Sequence, residues 1–288
     1  MVSTILLQTI LNGVLQGGLY GLIALGLSLI WGVMRVVNIA HGEFLMLGAF
    51  ITYFLFVPFG INPFLSALIS GPAFFFVGLV VYRFLVRRTV GAPELISLLL
   101  TFGISIFILN AAILAWTADI RAVGYTLPSV SFSGLIVPLS RLFAFIAAVL
   151  LTLSFFVFLA KTYLGKAIKA LTQNREAAHL VGINTERVSM ISFGLGLALA
   201  ATAGSINTVA NPALTPMIGS LYVLKAFAIV VLGGVGRPFG ALAGGFLLAL
   251  AEAFGTVYWH AEASVVVAFL VLLLTLYLKP SGLLGRKE

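Results

Sequence analysis

The chain of 288 residues contains no cysteine and very little charge. The absence of cysteine excludes a disulfide framework and any metal site built from thiolates. Asp, Glu, Lys and Arg make up only 8% of the residues, which is too few to cover the surface of a water-soluble protein. The histidines, His41, His179 and His260, lack the close helical spacing of a zinc motif. We therefore expect no metal site and no catalytic residues.

Apolar residues dominate what is present. They make up 61% of the chain, the mean hydropathy is +1.19, and the apolar runs follow one another with only short gaps. A helix of about 20 apolar residues crosses the ~30 Å hydrocarbon core of a bilayer. The sequence therefore predicts an all-α integral membrane protein, a polytopic bundle in which residues 1–288 form a single transmembrane domain.

The first apolar run, residues 5–34, is longer than the roughly 7–15 residues of a signal-peptide core, and no basic segment precedes it. We interpret it as the first membrane span. Further spans are predicted near residues 43–59, 63–86, 94–116, 139–160, 189–209, 219–233, 239–258 and 264–279. The total is eight or nine, because some of these segments are short.

Lys and Arg predict the topology, since both are retained on the cytoplasmic side during insertion. With the N-terminus outside, most of the 16 Lys and Arg residues fall on the inner side, while the outer loops carry only Arg121 and Arg141. This places the long polar loop, residues 161–188, in the cytoplasm. The net charge of +8 then reflects orientation and contact with membrane lipids, and it does not indicate nucleic acid.

Within this loop the sequence predicts one short helix outside the bilayer. Asn174 or Thr172 can cap its start, and Glu176 lies favourably near the positive end of its dipole. Gly182 can adopt the left-handed conformation that ends a helix, and Ile183 follows it.

The predicted helix carries an apolar surface formed by small and aliphatic side chains, to which a partner protein could dock: Ala177, Ala178, Leu180 and Val181. Arg175 and Glu176 would offer charged contacts at its rim. An ordinary cytosolic connector helix is the alternative interpretation.

Four motifs occur in an order that resembles the branched-chain amino acid permeases of ATP-binding-cassette importers, of the LivH type. They span nearly the whole chain: Asn38 to Phe44, Thr172 to Ile183 with its Glu-Ala-Ala-x-x-x-Gly pattern, Lys225 to Gly236, and Pro280 to Arg286. The group also includes urea and amide permeases. No proline occurs between Gly182 and Pro212, which differs from the maltose- and methionine-type permeases.

The resemblance implies a multi-pass subunit of the bacterial inner membrane that moves branched-chain amino acids by alternating access. It implies a second related permease, two cytoplasmic ATPases and a periplasmic binding protein as partners. The loop from Asn174 to Ile183 would couple the ATPases to the pore. The chain lacks Gly-x-x-x-x-Gly-Lys-Ser/Thr, so we expect it to bind no cofactor and its partners to use the ATP. Urea and short amides stay open as substrates.

Two segments, residues 17–49 and 219–251, resemble each other and predict a repeat of two hairpins, as is common in transporters. Without gaps, the alignment pairs Gly17 with Gly219, Tyr20 with Tyr222, Gly32 with Gly234, Arg35 with Arg237 and Phe44 with Phe246. The predicted topology makes the repeat parallel, whereas a re-entrant short segment would make it inverted.

Glycines interrupt both copies, at Val37 to Gly48 and at Gly233 to Gly245. Unwound backbone at membrane depth is tolerated only beside protein or water, so we expect the translocation path along these segments. Free helix ends there, near Asn38, Gly42, Gly233 and Gly234, could offer N–H groups to a substrate carboxylate.

Charged groups within apolar runs cost about 2.5–3.5 kcal/mol at mid-bilayer. Lys225 and Glu252 are predicted to form an ion pair that relieves both, and both are candidates for the path or its gate. His41 and Glu43 are further candidates, with capping at the membrane surface as the alternative for Glu43. A secondary amino acid transporter would also show repeats and buried charges, but it has no need for a Glu-Ala-Ala loop.

Overall fold

The computed structural model describes residues 2–132, 134–259, 263–279 and 282–284. The structure is 79% helical, which confirms the all-α class. His260 lies outside the described residues, as does most of the motif from Pro280 to Arg286.

Long apolar helices alternate with short connections. The α-helices are α1 Val2–Met34, α2 His41–Phe59, α3 Pro63–Phe84, α4 Glu94–Trp116, α5 Leu139–Lys161, α6 Tyr163–Gln173, α7 Arg175–Leu180, α8 Thr185–Ala210, α9 Ile218–Gly233, α10 Pro238–Tyr258 and α11 Ala263–Leu278. A 3₁₀ turn, Val86–Thr89, follows α3. The strands are β1 Arg121–Ala122, β2 Ser129–Phe132, β3 Leu135–Pro138 and β4 Ala213–Leu214.

Seven helices in the described part of the chain are long and apolar enough to cross a membrane: α1 to α5, α8 and α10. Helices α9 and α11 have 16 residues each and correspond to the predicted short spans near 219–233 and 264–279. Helices α6 and α7 lie between spans α5 and α8, at what we call the inner end. The strands lie in the loops at the opposite, outer end.

Glycines let the helices approach backbone to backbone. Gly13, Gly17 and Gly21 of α1 face Leu250, Phe246 and Leu242 of α10, so these two helices run antiparallel. Small residues at helix contacts are typical of membrane bundles, because the gain there comes from close packing.

Helix α8 is the second centre of packing. A Cβ atom on Gly48 of α2 would overlap the Ala201 backbone, and one on Gly78 of α3 would lie 2.7 Å from the Gly194 Cα. The middles of α1 and α8 are almost fully buried, as Leu25 and Ala200 illustrate. The core of the bundle therefore surrounds α1 and α8.

The helix directions show whether the two copies of the predicted repeat would be parallel or inverted. Gly233 packs on Gly240 and Gly244 on Ile229, so α9 and α10 form an antiparallel hairpin. Since α1 is also antiparallel to α10, α1 and α9 run in the same direction, as a parallel repeat requires. The repeat itself stays a prediction.

Two small antiparallel strand pairs lie at the outer end, where the sequence predicted only loops. Strand β1 pairs with β4, and β2 pairs with β3 in a hairpin. The Gln8 side chain docks the hairpin on α1, since its Nε2 donates to the Ile136 carbonyl (2.8 Å) and its Oε1 accepts from the Ile136 N–H (2.9 Å).

Candidate functional site

The polar loop at the inner end contains two helices, α6 and α7, where the sequence predicted one. The Asn174 Oδ1 accepts a hydrogen bond from the Ala177 N–H (2.9 Å), so Asn174 caps α7. Thr172, the alternative cap, lies in the last turn of α6 instead. Gly182 has φ +85°, which confirms the predicted left-handed conformation just after the helix.

The surface of α7 differs from the prediction at two positions. Ala178 is only 4% exposed and faces the core, so its place in a docking surface was wrong. Arg175 is half-buried, and its Nη1 donates to the Ser189 Oγ (3.2 Å), which ties α7 to α8. Ile183 packs, half-buried, against the core.

A smaller exposed surface remains on α7, and we call it the docking surface: Glu176, Ala177, Leu180 and Val181. Leu180 is 85% exposed and Val181 is 76% exposed. Such exposure of aliphatic side chains on a polar loop is typical of a protein contact.

Residues 35–40 form the unwound turn between α1 and α2. The Val37 N–H donates to the Ser97 Oγ (3.2 Å), and the Ile39 N–H donates to the Thr101 Oγ1 (3.1 Å). The Thr101 hydroxyl donates in turn to the Val37 carbonyl (2.9 Å). Two hydroxyls of α4 thus replace the missing helical hydrogen bonds, so the expected free N–H groups at Val37 and Ile39 are not available to a substrate.

The predicted path residues of the first segment are all buried. Asn38, His41 and Glu43 are at most 1% exposed. The His41 Nε2 lies 2.9 Å from the Ile23 carbonyl oxygen, inside the bundle. Each of these three side chains also has one polar atom without a hydrogen-bond partner among the described residues.

Glu43 lies in the first turn of α2 but is fully buried, so it is not a cap at an exposed surface. Its Oε1 accepts from the hydroxyls of Ser105 (3.2 Å) and Ser220 (3.4 Å). Beside it, a Cβ atom on Gly42 would overlap the Gly219 carbonyl. The first segment is therefore close-packed against α9.

The second segment is close-packed as well. Gly233 and Gly240 meet backbone to backbone, and Gly32 meets Gly236 in the same way. Gly234 has φ +95°, which permits the tight turn into α10. The contact between Gly233 and Gly240 leaves no space for a ligand, and the assignment of these positions to the path stays a prediction.

The predicted ion pair between Lys225 and Glu252 is confirmed. The Lys225 Nζ lies 3.0 Å from the Glu252 Oε1 and 3.0 Å from the Oε2, and the two side chains are only 14% and 13% exposed. The Tyr20 hydroxyl completes the cluster, since it donates to the Glu252 Oε2 (2.6 Å) and accepts from the Lys225 Nζ (2.6 Å). Tyr20 was not among the predicted path or gate residues.

A cavity of about 390 Å³ opens beside this ion pair, and we call it the outer cavity. It lies between α1, α5, α9 and α10. Its polar lining residues include Asn12, Gln16, Tyr20, Arg141, Lys225 and Glu252. The spacing of Gln8, Asn12, Gln16 and Tyr20, four residues apart on one face of α1, is the sequence signal that could have revealed it.

Comparison with known proteins places these features in a family. The family described as "Branched-chain amino acid transport system / permease component" matches residues 9–276. The permease BraD of Pseudomonas aeruginosa is 33% identical over 98% of this chain and 96% of its own length. The LivH permease of Salmonella typhimurium is 34% identical over the same shares.

A more distant relative is the LivM permease of Salmonella typhimurium, which is 27% identical over 81% of this chain and 60% of its own length. All three relatives are named high-affinity branched-chain amino acid transport system permease proteins. With a family match over nearly its whole length and relatives above 30% identity, this chain belongs to the branched-chain amino acid transport permease family.

Proposed function

We propose that this chain is a transmembrane permease subunit of an ATP-binding-cassette importer that moves leucine, isoleucine and valine across the membrane by alternating access. The observation that carries the proposal is the family match from residue 9 to residue 276, which covers the described membrane helices except the first residues of α1 and the last residues of α11. The chain performs no covalent chemistry on its cargo.

The partners follow from the same proposal. A second permease of the LivM kind would complete the pore, since such a relative exists beside the LivH relatives. Two cytoplasmic ATPases would supply the energy, and a periplasmic protein would deliver the amino acid. This assembly would lie in the bacterial inner membrane, with α7 in the cytoplasm.

The contacts of α7 support a mechanical route from ATPase to pore. An ATPase on the docking surface would push α7, and the bond from Arg175 to Ser189 would pass the displacement to α8. Helix α8 contacts α2 through backbone, where Gly204 meets Leu45. Because no flexible side chain separates these backbones, α8 and α2 would move together, carrying the segment around His41 and Glu43.

Uptake of radiolabelled leucine at submicromolar concentration tests the proposed function, in cells that lack the gene and in cells restored with it. We expect restored uptake that excess isoleucine and valine compete away and urea does not. Competition by urea alone would assign the chain to the urea permeases, and an absence of restoration would refute the proposed substrate.

Substituting Gly182 tests this mechanical route from the ATPase to the pore. Gly182→Val puts a β-branched residue at φ +85° without any steric overlap, since nothing lies within 4 Å of the added Cβ. We expect the importer to insert and hydrolyse ATP but lose uptake, because the end of α7 would reorient. Gly124→Val, also in open space but without a positive φ, is the matched control. Unchanged uptake in Gly182→Val would contradict this mechanical route.

A further inference from the structure

The outer cavity combines a buried ion pair, an arginine that pairs with no described acidic residue, and an apolar wall. Its volume of about 390 Å³ lies within the range of ligand sites, roughly 300–1,000 Å³. By contrast, the glycine segments predicted to line the path pack backbone against backbone. We propose that the outer cavity is an intrachain binding site for the zwitterion of an aliphatic α-amino acid, an inference that rests on the proposed function.

The polar lining indicates that the cavity holds water or a polar ligand. Asn12 and Gln16 continue the polar face of α1 down to Tyr20, within a helix that is mostly apolar. Polar and charged side chains inside a membrane helix are costly unless they face a partner or water. Nothing in the close-packed remainder of α1 carries such a face.

The charges select a ligand that bears a carboxylate. Lys225 and Glu252 neutralise each other, and Arg141 lines the same cavity without an ion pair to any described residue. Among the described residues, the lining of the cavity therefore carries one unbalanced positive charge. A guanidinium binds a carboxylate through two parallel hydrogen bonds, so Arg141 would hold the α-carboxylate.

Glu252 would hold the α-ammonium group. Its Oε2 is saturated by Tyr20 and Lys225. Its Oε1 makes the ion-pair contact with the Lys225 Nζ at 3.0 Å, but it is buried and has no hydrogen-bond partner among the described residues. A buried oxygen with free lone pairs accepts an ammonium donor favourably, and a carboxylate accepts it more strongly than a neutral group would.

The rest of the wall suits a small aliphatic side chain. Ala249, Ala253 and Val257 of α10 line the cavity four residues apart, on one face of the helix. Their small side chains form an apolar strip beside the polar groups, as a ligand with one charged end and one hydrocarbon end requires. Leucine, isoleucine and valine have this shape.

The absence of cysteine from the chain makes a direct test possible. Ala253→Cys introduces one thiol on the apolar strip, and Ser129→Cys introduces one on the exposed strand β2 as a control. In the complete importer, reconstituted without its binding protein, the rate at which a methanethiosulfonate reagent modifies each thiol is measured with and without leucine. A monodisperse gel-filtration profile of the Ala253→Cys importer, equal to that of the wild type, shows that it is folded.

We expect millimolar leucine to slow modification of Ala253→Cys at least fivefold and to leave Ser129→Cys unchanged. Isoamylamine, which lacks the carboxylate, and 4-methylpentanoate, which lacks the ammonium group, should not protect. In the Ala253→Cys importer, a second substitution Arg141→Gln should abolish the protection by leucine, while Arg141→Lys should retain part of that protection.

If the wild-type importer takes up leucine but leucine does not protect Ala253→Cys, the site is overturned and the proposed function stands. Equal protection by 4-methylpentanoate, or slowing of Ser129→Cys as well, would also overturn it. Failure of the wild-type importer to take up any branched-chain amino acid would instead refute the proposed function.

Discussion

Removing one partner of the buried ion pair should destabilise the protein far more than removing both. In Lys225→Met the Glu252 carboxylate keeps only the Tyr20 hydroxyl among its present partners. Breaking a buried pair in this way costs about 3–5 kcal/mol. Because the pair borders the outer cavity and both side chains are slightly exposed, we expect a value near the lower limit, about 3 kcal/mol.

The double variant, Lys225→Met with Glu252→Met, leaves no unpaired charge. Replacing a buried pair by apolar residues of similar volume is often neutral or stabilising, so its cost should be much smaller than that of either single variant. If each single variant costs about 3 kcal/mol and the double variant less than about 1 kcal/mol, the coupling between the two sites should amount to about 5 kcal/mol, more than the roughly 0.5–3 kcal/mol usual for residues in contact.

The assay heats the importer in the absence of leucine and measures, by fluorescence-detected gel filtration, how much monodisperse importer remains at each temperature. A cost of about 3 kcal/mol corresponds to a midpoint lowered by roughly 6–12 °C for a chain of this size. The control is the half-exposed pair between Arg87 and Glu186, whose disruption should cost less than about 1 kcal/mol. A double variant as unstable as the sum of the two singles would refute the reasoning.

Three further substitutions test local features. Gly42→Ala should prevent recovery of monodisperse protein, since its Cβ would overlap the Gly219 carbonyl, whereas Gly103→Ala, in open space, should behave as wild type in the same gel filtration. Thr101→Val removes the hydroxyl bonded to the unwound turn and should lower the unfolding midpoint by the equivalent of about 1–3 kcal/mol; an unchanged midpoint would contradict its role. Asn174→Ala removes the cap of α7 and should cost about 1 kcal/mol of local stability, seen as faster amide exchange in α7 but not in α8.

The membrane spans were predictable because hydropathy alone fixes them. The helices begin and end close to the predicted residues even for α9, which has only 16 residues. The ion pair was predictable for a related reason, since two opposite charges in apolar runs have few other ways to be neutralised. Both inferences depend on the free-energy cost of placing polar groups in the hydrocarbon core. This cost is large enough to exclude structures that leave such groups unpaired in lipid.

Features that depend on side-chain direction were harder to predict. Ala177 and Ala178 look equivalent in sequence, but only Ala178 is buried, because the pairing of α7 with α6 and α8 sets its rotation. Unwound backbone was expected from Val37 to Gly48, but α2 begins at His41, so only residues 35–40 are unwound. The hydrogen-bond partners of this turn, Ser97 and Thr101, lie some 60 residues away along the chain. The strands β1 and β4 have two residues each, which is too short for any periodic signal.

Those two short strands have a mechanical consequence for the bundle. Their pairing, extended by the hydrogen bond from the Val123 N–H to the Pro212 carbonyl (3.1 Å), straps the loop after α4 to the loop after α8. The outer ends of α4 and α8 can separate only if these hydrogen bonds break. Helix α8 is therefore held at its outer end, and a force applied to its inner end would displace that end most. The inner end is also where the ATPase would push.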